Sequence, residues 1–258
     1  MTAQPVTSAT LARMPGILHG FFTRQGGVST GGYAALNCSL SGQDDPDRVR
    51  ANRDRAMDAL GLPGDALSGL HQVHGAAVAV LETPWPQTMR PQADALVTRR
   101  AGLALGIITA DCTPVLFADA GAGVIGAAHA GWRGAVAGVL EATVDAMCAI
   151  GARRARITAA IGPCIRQASY EVAADLRDAV LARDAGDARF FAPGGRADRW
   201  QFDLAGYCAA RLRGAGIVPD ILPDDTLAND QKYFSHRRNT LACGGPIGHQ
   251  LSAIAIAG

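Results

Sequence analysis

The stretch from Leu103 to Gly134 constrains the fold more than any other part of the chain. It contains three apolar runs, Leu103–Ile108, Pro114–Phe117 and Val124–Ala128. Each run is short, rich in β-branched or small residues and bounded by turn residues, which is typical of a buried β-strand. We therefore predict three buried strands here and expect the rest of the chain to be organised around them.

Strand and helix patterns are interspersed along the remainder of the chain without strict βαβα alternation. Further strands are predicted at Ile17–Thr23, Ala77–Leu81, Ala93–Thr98, Arg156–Ile161 and Leu251–Ala257, and helices at Asp44–Leu60, Arg133–Cys148, Val172–Ala185 and Phe202–Gly214. The 258 residues, 48% of them hydrophobic, are enough for one sizeable core. We expect a single α/β domain with a mixed sheet over residues 16–258, preceded by a loose leader over residues 1–15.

Composition narrows the function classes and the location. With a net charge of +1, the chain lacks the excess of basic residues that is typical of proteins that bind nucleic acid or an anionic membrane. No apolar run is long enough to cross a bilayer, and the first residues do not have the pattern of a signal peptide. The six scattered cysteines indicate reduced thiols rather than a disulfide scaffold. We expect a cytoplasmic monomer that acts on a small molecule, with no nucleic-acid or membrane partner.

A thiol and two imidazoles are the candidate metal ligands. Cys112 follows the first apolar run, His129 ends the third, and His74 lies with His71 in the segment HQVHG. If that segment is extended, His71 and His74 point to opposite faces. A catalytic zinc site uses three such protein ligands and keeps one position open.

The same residues allow other interpretations. Cys112 could be a nucleophile with His129 as its base. A His2Cys set also suits blue copper, although a chain with six histidines has little room for a multinuclear copper centre. A buried thiol with two unrelated histidines fits the spacing equally well.

Charged residues beside these ligands are candidates for proton transfer and anion binding. Asp111, next to Cys112, is a candidate orienting group or general base, and equally a turn cap. Arg133 lies at a predicted helix start, where backbone N–H groups and a guanidinium together favour phosphate or carboxylate. Arg24 and the pair Arg237-Arg238 are loop arginines that could join an anion site or be solvated.

Nine motifs occur in order along nearly the whole chain from Leu18 onward. They are HGFFTRQGGVS (19–29), LNCS (36–39), QVHG (72–75), ADALVT (93–98), TADCTPVLFAD (109–119), GAAHAGWRG (126–134), IGPCI (161–165), YEV (170–172) and YFSHRR (233–238). With these motifs the chain resembles the bacterial laccase-domain family. Members of that family have been called multicopper polyphenol oxidases, purine nucleoside phosphorylases and peptidoglycan editing factors.

The resemblance implies a fold and a metal centre. The implied fold is a layered α/β/β/α sandwich with mixed sheets, similar to that of the cytotoxic necrotising factor deamidases, which use a Cys–His pair. The implied ligands are His74, Cys112 and His129, with zinc as the usual metal and copper as another possibility. We take these three residues, together with Asp111 from its position next to Cys112, as the candidate catalytic groups.

The resemblance also implies activities and substrate contacts. The activities are phosphorolysis of adenosine, inosine and methylthioadenosine, and deamination of adenosine. Asn37, Arg24, Arg133 and Arg238 are the implied phosphate or ribose contacts, and His71 is a further candidate for handling protons at the substrate. Alternative activities are removal of misincorporated L-Ser from UDP-MurNAc-L-Ala-L-Ser and copper-dependent polyphenol oxidation.

This chain departs from the family pattern at three places outside the implied metal triad. His236 stands where many members have Tyr, and His249 stands where Arg is common. The segment Asp224-Asp225-Thr226 replaces a Cys-Thr pair. We expect these departures to affect substrate preference more than the chemistry.

Overall fold

The structure, a computed structural model, describes residues 2–258. Its strands are β1 (Pro5–Val6), β2 (Ile17–Phe22), β3 (Leu67–Ser68), β4 (Val78–Val80), β5 (Ala95–Thr98), β6 (Ala104–Thr109), β7 (Thr113–Asp119), β8 (Val124–Ala130), β9 (Thr158–Ile161), β10 (Glu171–Val172), β11 (Phe191–Pro193), β12 (Trp200–Phe202), β13 (Asp220–Ile221) and β14 (Gln250–Ile256). Its helices are α1 (Ala9–Ala12), α2 (Pro46–Asp58), α3 (Trp132–Ala137), α4 (Val139–Ala149), α5 (Ala174–Arg183), α6 (Leu204–Gly214) and α7 (His236–Leu241).

Two large sheets form the centre of the molecule. The first has the order β1-β2-β14-β6-β3 and the second the order β13-β9-β7-β8-β5-β4. Both are mixed: β3 runs parallel to β6 in the first, and β4 runs parallel to β5 in the second, while the central pairs are antiparallel. A small third sheet has the order β10-β12-β11. The predicted α/β class with mixed sheets is confirmed.

The sheets and helices pack in four layers. Along β7, Leu116 and Ala118 face the first sheet, whereas Val115 and Phe117 face the opposite way, toward α4 and α6. Helix α2 covers the outer side of the first sheet, where Met57 packs in a third apolar cluster. This alternation follows from the two-residue period of a strand. Full burial of side chains such as Leu116 and Phe117 stabilises the fold by about 1.5–3 kcal/mol each. The similarity to the toxin deamidases stays a prediction.

The helix predicted over Arg133–Cys148 is wrong in one respect, because it is two helices. Helix α3 ends and α4 begins at Gly138, whose φ of 94° is left-handed. Glycine takes this conformation without the steric cost that a Cβ would add. The break lets the chain change direction between the end of β8 and the apolar face of α4.

The prediction of a loose leader over residues 1–15 is wrong for residues 5–12. Strand β1 pairs with β2, and Leu11 on α1 is fully buried against the inter-sheet core. Ser8 caps α1 and also donates a hydrogen bond to Asp220. Met1 lies outside the described residues. Two strand residues and one helical turn carry little periodic signal, so this docking is a tertiary effect.

The order of strands places the chemically active residues at one end of the sandwich. Strand β6 belongs to the first sheet and β7 to the second, so Ala110, Asp111 and Cys112 form the corner where the chain crosses between sheets. None of the helices within residues 2–258 has both the length and the apolar character needed to span a membrane.

Candidate metal centre

The corner that carries Cys112 is held by the carboxylate of Asp111. Asp111 has a left-handed φ of 85°, which is costly for a residue with a Cβ. Its carboxylate accepts hydrogen bonds from the Thr226 hydroxyl at 2.6 Å, the Ser235 hydroxyl at 2.9 Å and the backbone N–H of Arg237. These bonds offset the cost of the turn and fix where Cys112 projects. Asp111 therefore ties the corner to the segments that carry Thr226, Ser235 and Arg237.

His74 also lies on a tight turn rather than in an extended segment. Its φ is 61°, and the carboxylate of Asp94 accepts hydrogen bonds from the backbone N–H groups of Val73, His74 and Gly75 at 2.7 to 3.2 Å. This nest of N–H groups around one carboxylate sets the direction of the His74 ring. The segment is thus not extended at His74, yet of the two histidines only His74 lines the cavity.

His129 is oriented by the same carboxylate. It projects from β8, is only 3% exposed, and its Nδ1 lies 2.8 Å from Asp94 Oδ1. Because Asp94 engages Nδ1, Nε2 is the nitrogen left to bind a metal, the arrangement in which a carboxylate orients a metal-ligating histidine. The rings of His74 and His129 meet edge to face with centroids 4.8 Å apart.

The three predicted ligands come together. The donor atoms of His74, Cys112 and His129 all lie within 4.8 Å of one another, and Cys112 Sγ is 3.9 Å from His74 Nε2. Tetrahedral zinc with sulfur at ~2.3 Å and nitrogen at ~2.0 Å places neighbouring donors roughly 3.5 Å apart. Shortening the longest side of the observed triangle by about 1.3 Å, and the others by less, reaches that geometry. The group can therefore hold a metal ion and leave one coordination position open.

Gly131 leaves room for this cluster. A Cβ on Gly131 would lie 2.9 Å from His74 Cδ2 and 3.1 Å from Cys112 Sγ. A side chain there would push two of the three donors apart. Close packing therefore requires glycine at position 131, which is also the residue immediately before α3.

In the metal-free protein, neighbouring side chains shift the pKa values of Cys112 and His129. Burial by itself raises the pKa of the Cys112 thiol, but the neighbouring His129 and His74 imidazoles outweigh burial and lower that pKa. Burial lowers the pKa of His129, but the Cys112 sulfur and the Asp94 carboxylate outweigh it and raise that pKa. The pair thus favours thiolate and imidazolium, and the thiolate is the form of cysteine that binds metals.

The donors open into a cavity of about 560 Å³, which is within the usual range for small-molecule sites. His74, Cys112, His129, Asp111 and Arg133, all predicted from the sequence, line it. Its other polar and aromatic lining residues are Ser39, Ser41, Gln72, Thr109, Trp132, Tyr170, His236, Arg237 and His249.

Two predicted substrate arginines are engaged elsewhere. Arg24 Nε donates to the carbonyl of Ala34 at 2.8 Å, and its guanidinium stacks on Phe234. Arg238 donates to the carbonyls of Tyr233 and Thr226. Neither side chain lines the cavity. Both tie loops together, and their direct contact with substrate stays a prediction that this geometry does not support.

Asn37 and His71 also lie outside the cavity wall. Asn37 is fully buried, with its amide donating to Asp44 and its oxygen accepting from the backbone N–H of His249. It therefore supports the loop that carries His249 into the cavity. His71 is exposed and pairs with Gln92 in an isolated bridge. Substrate contact by either residue stays a prediction.

Two residues of the site have roles that we did not predict. Asp94 orients two of the three ligands, and its only signal was an acidic residue immediately before an apolar strand. Tyr170 lines the cavity, and the Arg237 guanidinium lies 5.4 Å from its ring centroid.

The two histidines at the departures from the family pattern, His236 and His249, also face the cavity. Burial, together with the charges of His236 and His129, lowers the pKa of His249 to about 4. The imidazole of His249 is therefore neutral at pH 7.

Residues 18–257 match the protein family described as multi-copper polyphenol oxidoreductase laccase. A purine nucleoside phosphorylase of Streptomyces griseus is 43% identical over 230 residues, which cover 88% of this chain and 92% of that protein. One of Deinococcus radiodurans is 43% identical over 233 residues, which cover 89% of this chain and 87% of that protein.

Solved structures show the same fold. A Neisseria meningitidis protein assigned to the family DUF152 superposes with a TM-score of 0.82 at 32% identity, covering 95% of this chain and 96% of that one. The Bacillus licheniformis protein YfiH superposes with a TM-score of 0.86 at 27% identity, covering 93% and 92%.

Proposed function

The chain belongs to the multi-copper polyphenol oxidoreductase laccase family, also called the laccase-domain family, and on that premise we propose that it is a zinc-dependent purine nucleoside phosphorylase. One observation carries the proposal: the His74, Cys112 and His129 donors open into the same cavity as the free guanidinium of Arg133. Relatives that share about two fifths of their residues with this chain bear that activity in their names.

The reaction joins phosphate to a nucleoside and releases the base. An oxygen of phosphate bonds to C1′ of the ribose while the bond between C1′ and the purine nitrogen breaks. The electron pair of that bond goes to the purine, which takes up one proton. Adenosine, inosine and methylthioadenosine give adenine or hypoxanthine and ribose 1-phosphate or its methylthio analogue.

Arg133 is the residue best placed to hold the phosphate. Its side chain is exposed in the cavity and makes no hydrogen bond or ion pair with any residue from 2 to 258. Its guanidinium lies over the Trp132 ring at 4.4 Å from the centroid. The stacking orients the guanidinium without using its N–H donors, which remain available for bidentate contact with phosphate. Arg237 already donates through Nη1 to the carbonyl of Glu171, so its remaining donors form a second contact at most.

The purine base has an aromatic wall on which to pack. Tyr170 is half-buried in the lining, and burial raises the pKa of its hydroxyl, so it is neutral at pH 7. A neutral ring of this kind supplies apolar contact area and one hydroxyl. The neutral imidazole of His249 can donate or accept one hydrogen bond at the edge of the purine base.

The metal triad is the chemical centre of the proposal. Bound zinc supplies Lewis acidity and, through its open position, an ionisable water. Cys112, His74 and His129 would hold the ion, and Asp94, by binding Nδ1 of His129, would leave Nε2 as the nitrogen that faces the metal. Asp111 already accepts three hydrogen bonds, so we assign it as a positioning residue for the Cys112 corner.

Adenosine deamination is a second activity favoured by the same donors. Zinc deaminases that act on adenine combine histidine and cysteine ligands with an open position for water. In this reaction water replaces the 6-amino group and ammonia leaves. The cavity therefore converts adenosine to inosine and also cleaves either nucleoside.

Amide hydrolysis of UDP-MurNAc-L-Ala-L-Ser and copper-dependent polyphenol oxidation stay predictions. Within residues 2–258 the structure has one cluster of three metal-binding side chains, whereas multinuclear copper chemistry needs several. Assays with the serine-containing precursor and with a polyphenol, under copper loading, discriminate these activities from phosphorolysis.

The test is incubation of the zinc-loaded protein with inosine, with and without phosphate, followed by separation of hypoxanthine, ribose 1-phosphate and ribose. We expect hypoxanthine and ribose 1-phosphate in equal amounts and only when phosphate is present. The Cys112→Ala variant should lose the activity, while Cys243→Ala, which changes an exposed thiol far along the chain, should retain it. Phosphate-independent release of hypoxanthine, or full activity in Cys112→Ala, contradicts the proposal.

A further inference from the structure

A second cavity lies on the helical side of the molecule, between α5 and the hairpin formed by β11 and β12. Its volume is about 370 Å³, and none of its lining residues lines the catalytic cavity. The side chains that matter for its chemistry are Arg177, Phe191, Arg196, Asp198, Arg199 and Trp200. Three arginines and two aromatic rings around one cavity can bind a ligand that carries both a flat ring and an anionic group.

The aromatic rings are fixed by the hairpin. Trp200 on β12 pairs with Pro193 on one side and Val172 on the other, so its ring has a fixed base. The Arg177 guanidinium lies over this ring, 4.8 Å from its centroid. Phe191 stacks on Phe202 with an interplanar angle of 21°. The cavity thus offers an aromatic surface held by β11 and β12, beside the loop that joins them.

The three arginines differ in how well they are neutralised. Arg196 Nε donates to the Glu171 carboxylate at 2.8 Å, and Arg177 lies 4.0 Å from the exposed carboxylate of Asp178. Arg199 has no carboxylate oxygen within 4.0 Å among residues 2–258, and its guanidinium donates only to the carbonyl of Asp198. Arg199 is therefore the one guanidinium of the three with no carboxylate partner among residues 2–258, and it keeps all but one of its donors free.

The loop that carries Arg199 is tightly built. The N–H of Gly194 donates to the Arg199 carbonyl at 3.0 Å, and a Cβ on Gly194 would lie 2.6 Å from that carbonyl. The N–H of Gly195 donates to Glu171, which also binds Arg196. These contacts fix the backbone of the loop on either side of Arg196 and hold the main chain of Arg199 in place.

We propose that this cavity is a second ligand site, for a nucleoside monophosphate. The base packs against Trp200 and Phe191, and the phosphate binds Arg199 and Arg177. A guanidinium pairs with phosphate through two parallel N–H donors, and base–aromatic stacking supplies the remaining affinity. The site needs neither the metal triad nor the proposed phosphorolysis.

The experiment is calorimetric titration of the metal-free protein with adenosine 5′-monophosphate, inorganic phosphate and adenosine in separate runs. The Arg133→Ala background removes the main proposed anion contact of the first cavity. In that background we expect saturable binding of the monophosphate at one equivalent per chain, and at least tenfold weaker binding of phosphate or adenosine alone. Adding Arg199→Ala should weaken monophosphate binding at least tenfold, as should Trp200→Leu.

The matched control is Arg213→Ala, which removes an exposed arginine from α6 away from both cavities. We expect it to leave the affinity unchanged. Loss of all monophosphate binding in Arg133→Ala alone, or equal affinity in Arg199→Ala and Arg213→Ala, overturns the proposal. Thermal melting of each variant verifies that it is folded, and Arg199→Lys, which keeps the charge, should weaken binding less than Arg199→Ala.

Discussion

Replacing Asp94 with asparagine tests how the metal site is built. The carboxylate is fully buried and accepts four hydrogen bonds, two on each oxygen. An amide replaces one accepting oxygen with a donating NH2 group. If the NH2 group faces Val73 and Gly75, both of their N–H groups lose their acceptor; if it faces His74 and His129, the His74 N–H loses its acceptor while the His129 ring can accept from the amide.

The magnitude follows from the number of donors that lose their acceptor, which is one or two. A buried donor without an acceptor costs about 1–3 kcal/mol, so Asp94→Asn should lower the free energy of unfolding by roughly 1–6 kcal/mol. If the amide NH2 faces His129, the ring accepts at Nδ1 and its proton moves to Nε2, the nitrogen meant for the metal. Loss of such an orienting partner typically lowers metal affinity ~10–100-fold.

The assay is competition for zinc against a chromophoric chelator, with thermal melting of the same samples. Asp119→Asn is the matched control, because Asp119 is also buried and accepts hydrogen bonds from the N–H groups of Ala122 and Arg153. It lies at the end of β7 far from Cys112. We expect both variants to melt earlier and only Asp94→Asn to bind zinc more weakly. Equal zinc affinity in the two variants refutes the reasoning.

Three further predictions concern the same site. Gly131→Ala should weaken zinc binding, because its Cβ would crowd His74 and Cys112; the chelator competition measures this, and unchanged affinity contradicts the packing argument. In metal-free protein, the imidazoles lower the pKa of Cys112, so thiolate persists at lower pH; its alkylation by iodoacetamide, followed by peptide mass spectrometry, should hold its rate to lower pH than in the urea-denatured chain. Identical pH profiles in the folded and denatured chains would exclude that ion pair. Arg133→Ala should raise the KM for phosphate at least tenfold, with a smaller change in the KM for inosine, and an unchanged phosphate KM would remove Arg133 from the site.

The ligands were predictable because they follow strong local signals. The run before Cys112 and the run containing His129 read as buried strands, and the structure has β6 and β8 there. Residues that end or leave central strands gather at sheet edges. The third partner, His74, was indicated more weakly, by its close pairing with His71 and then by the family motif. It reaches the site from a turn before β4 on the edge of the second sheet, a contact that only the folded chain makes.

The role of Asp94 could not be read from the sequence because it is entirely tertiary. A carboxylate before a strand is common, and its four partners lie in two segments that meet only in the folded protein. The same limit applies to the arginines. Arg24 and Arg133 were both candidates for an anion site. In the structure Arg24 donates a hydrogen bond to the Ala34 carbonyl, whereas the Arg133 guanidinium stays free in the cavity.

We propose above that His74, Cys112 and His129 hold the metal on which phosphorolysis depends. The most direct measurement is the rate of inosine phosphorolysis by chelator-stripped protein as zinc is added back. We predict that activity is absent without metal, rises in proportion to zinc and reaches its maximum at one equivalent per chain, and that Cys112→Ala shows no such rise. Full activity in stripped protein, or restoration by copper alone at several equivalents, would contradict the account.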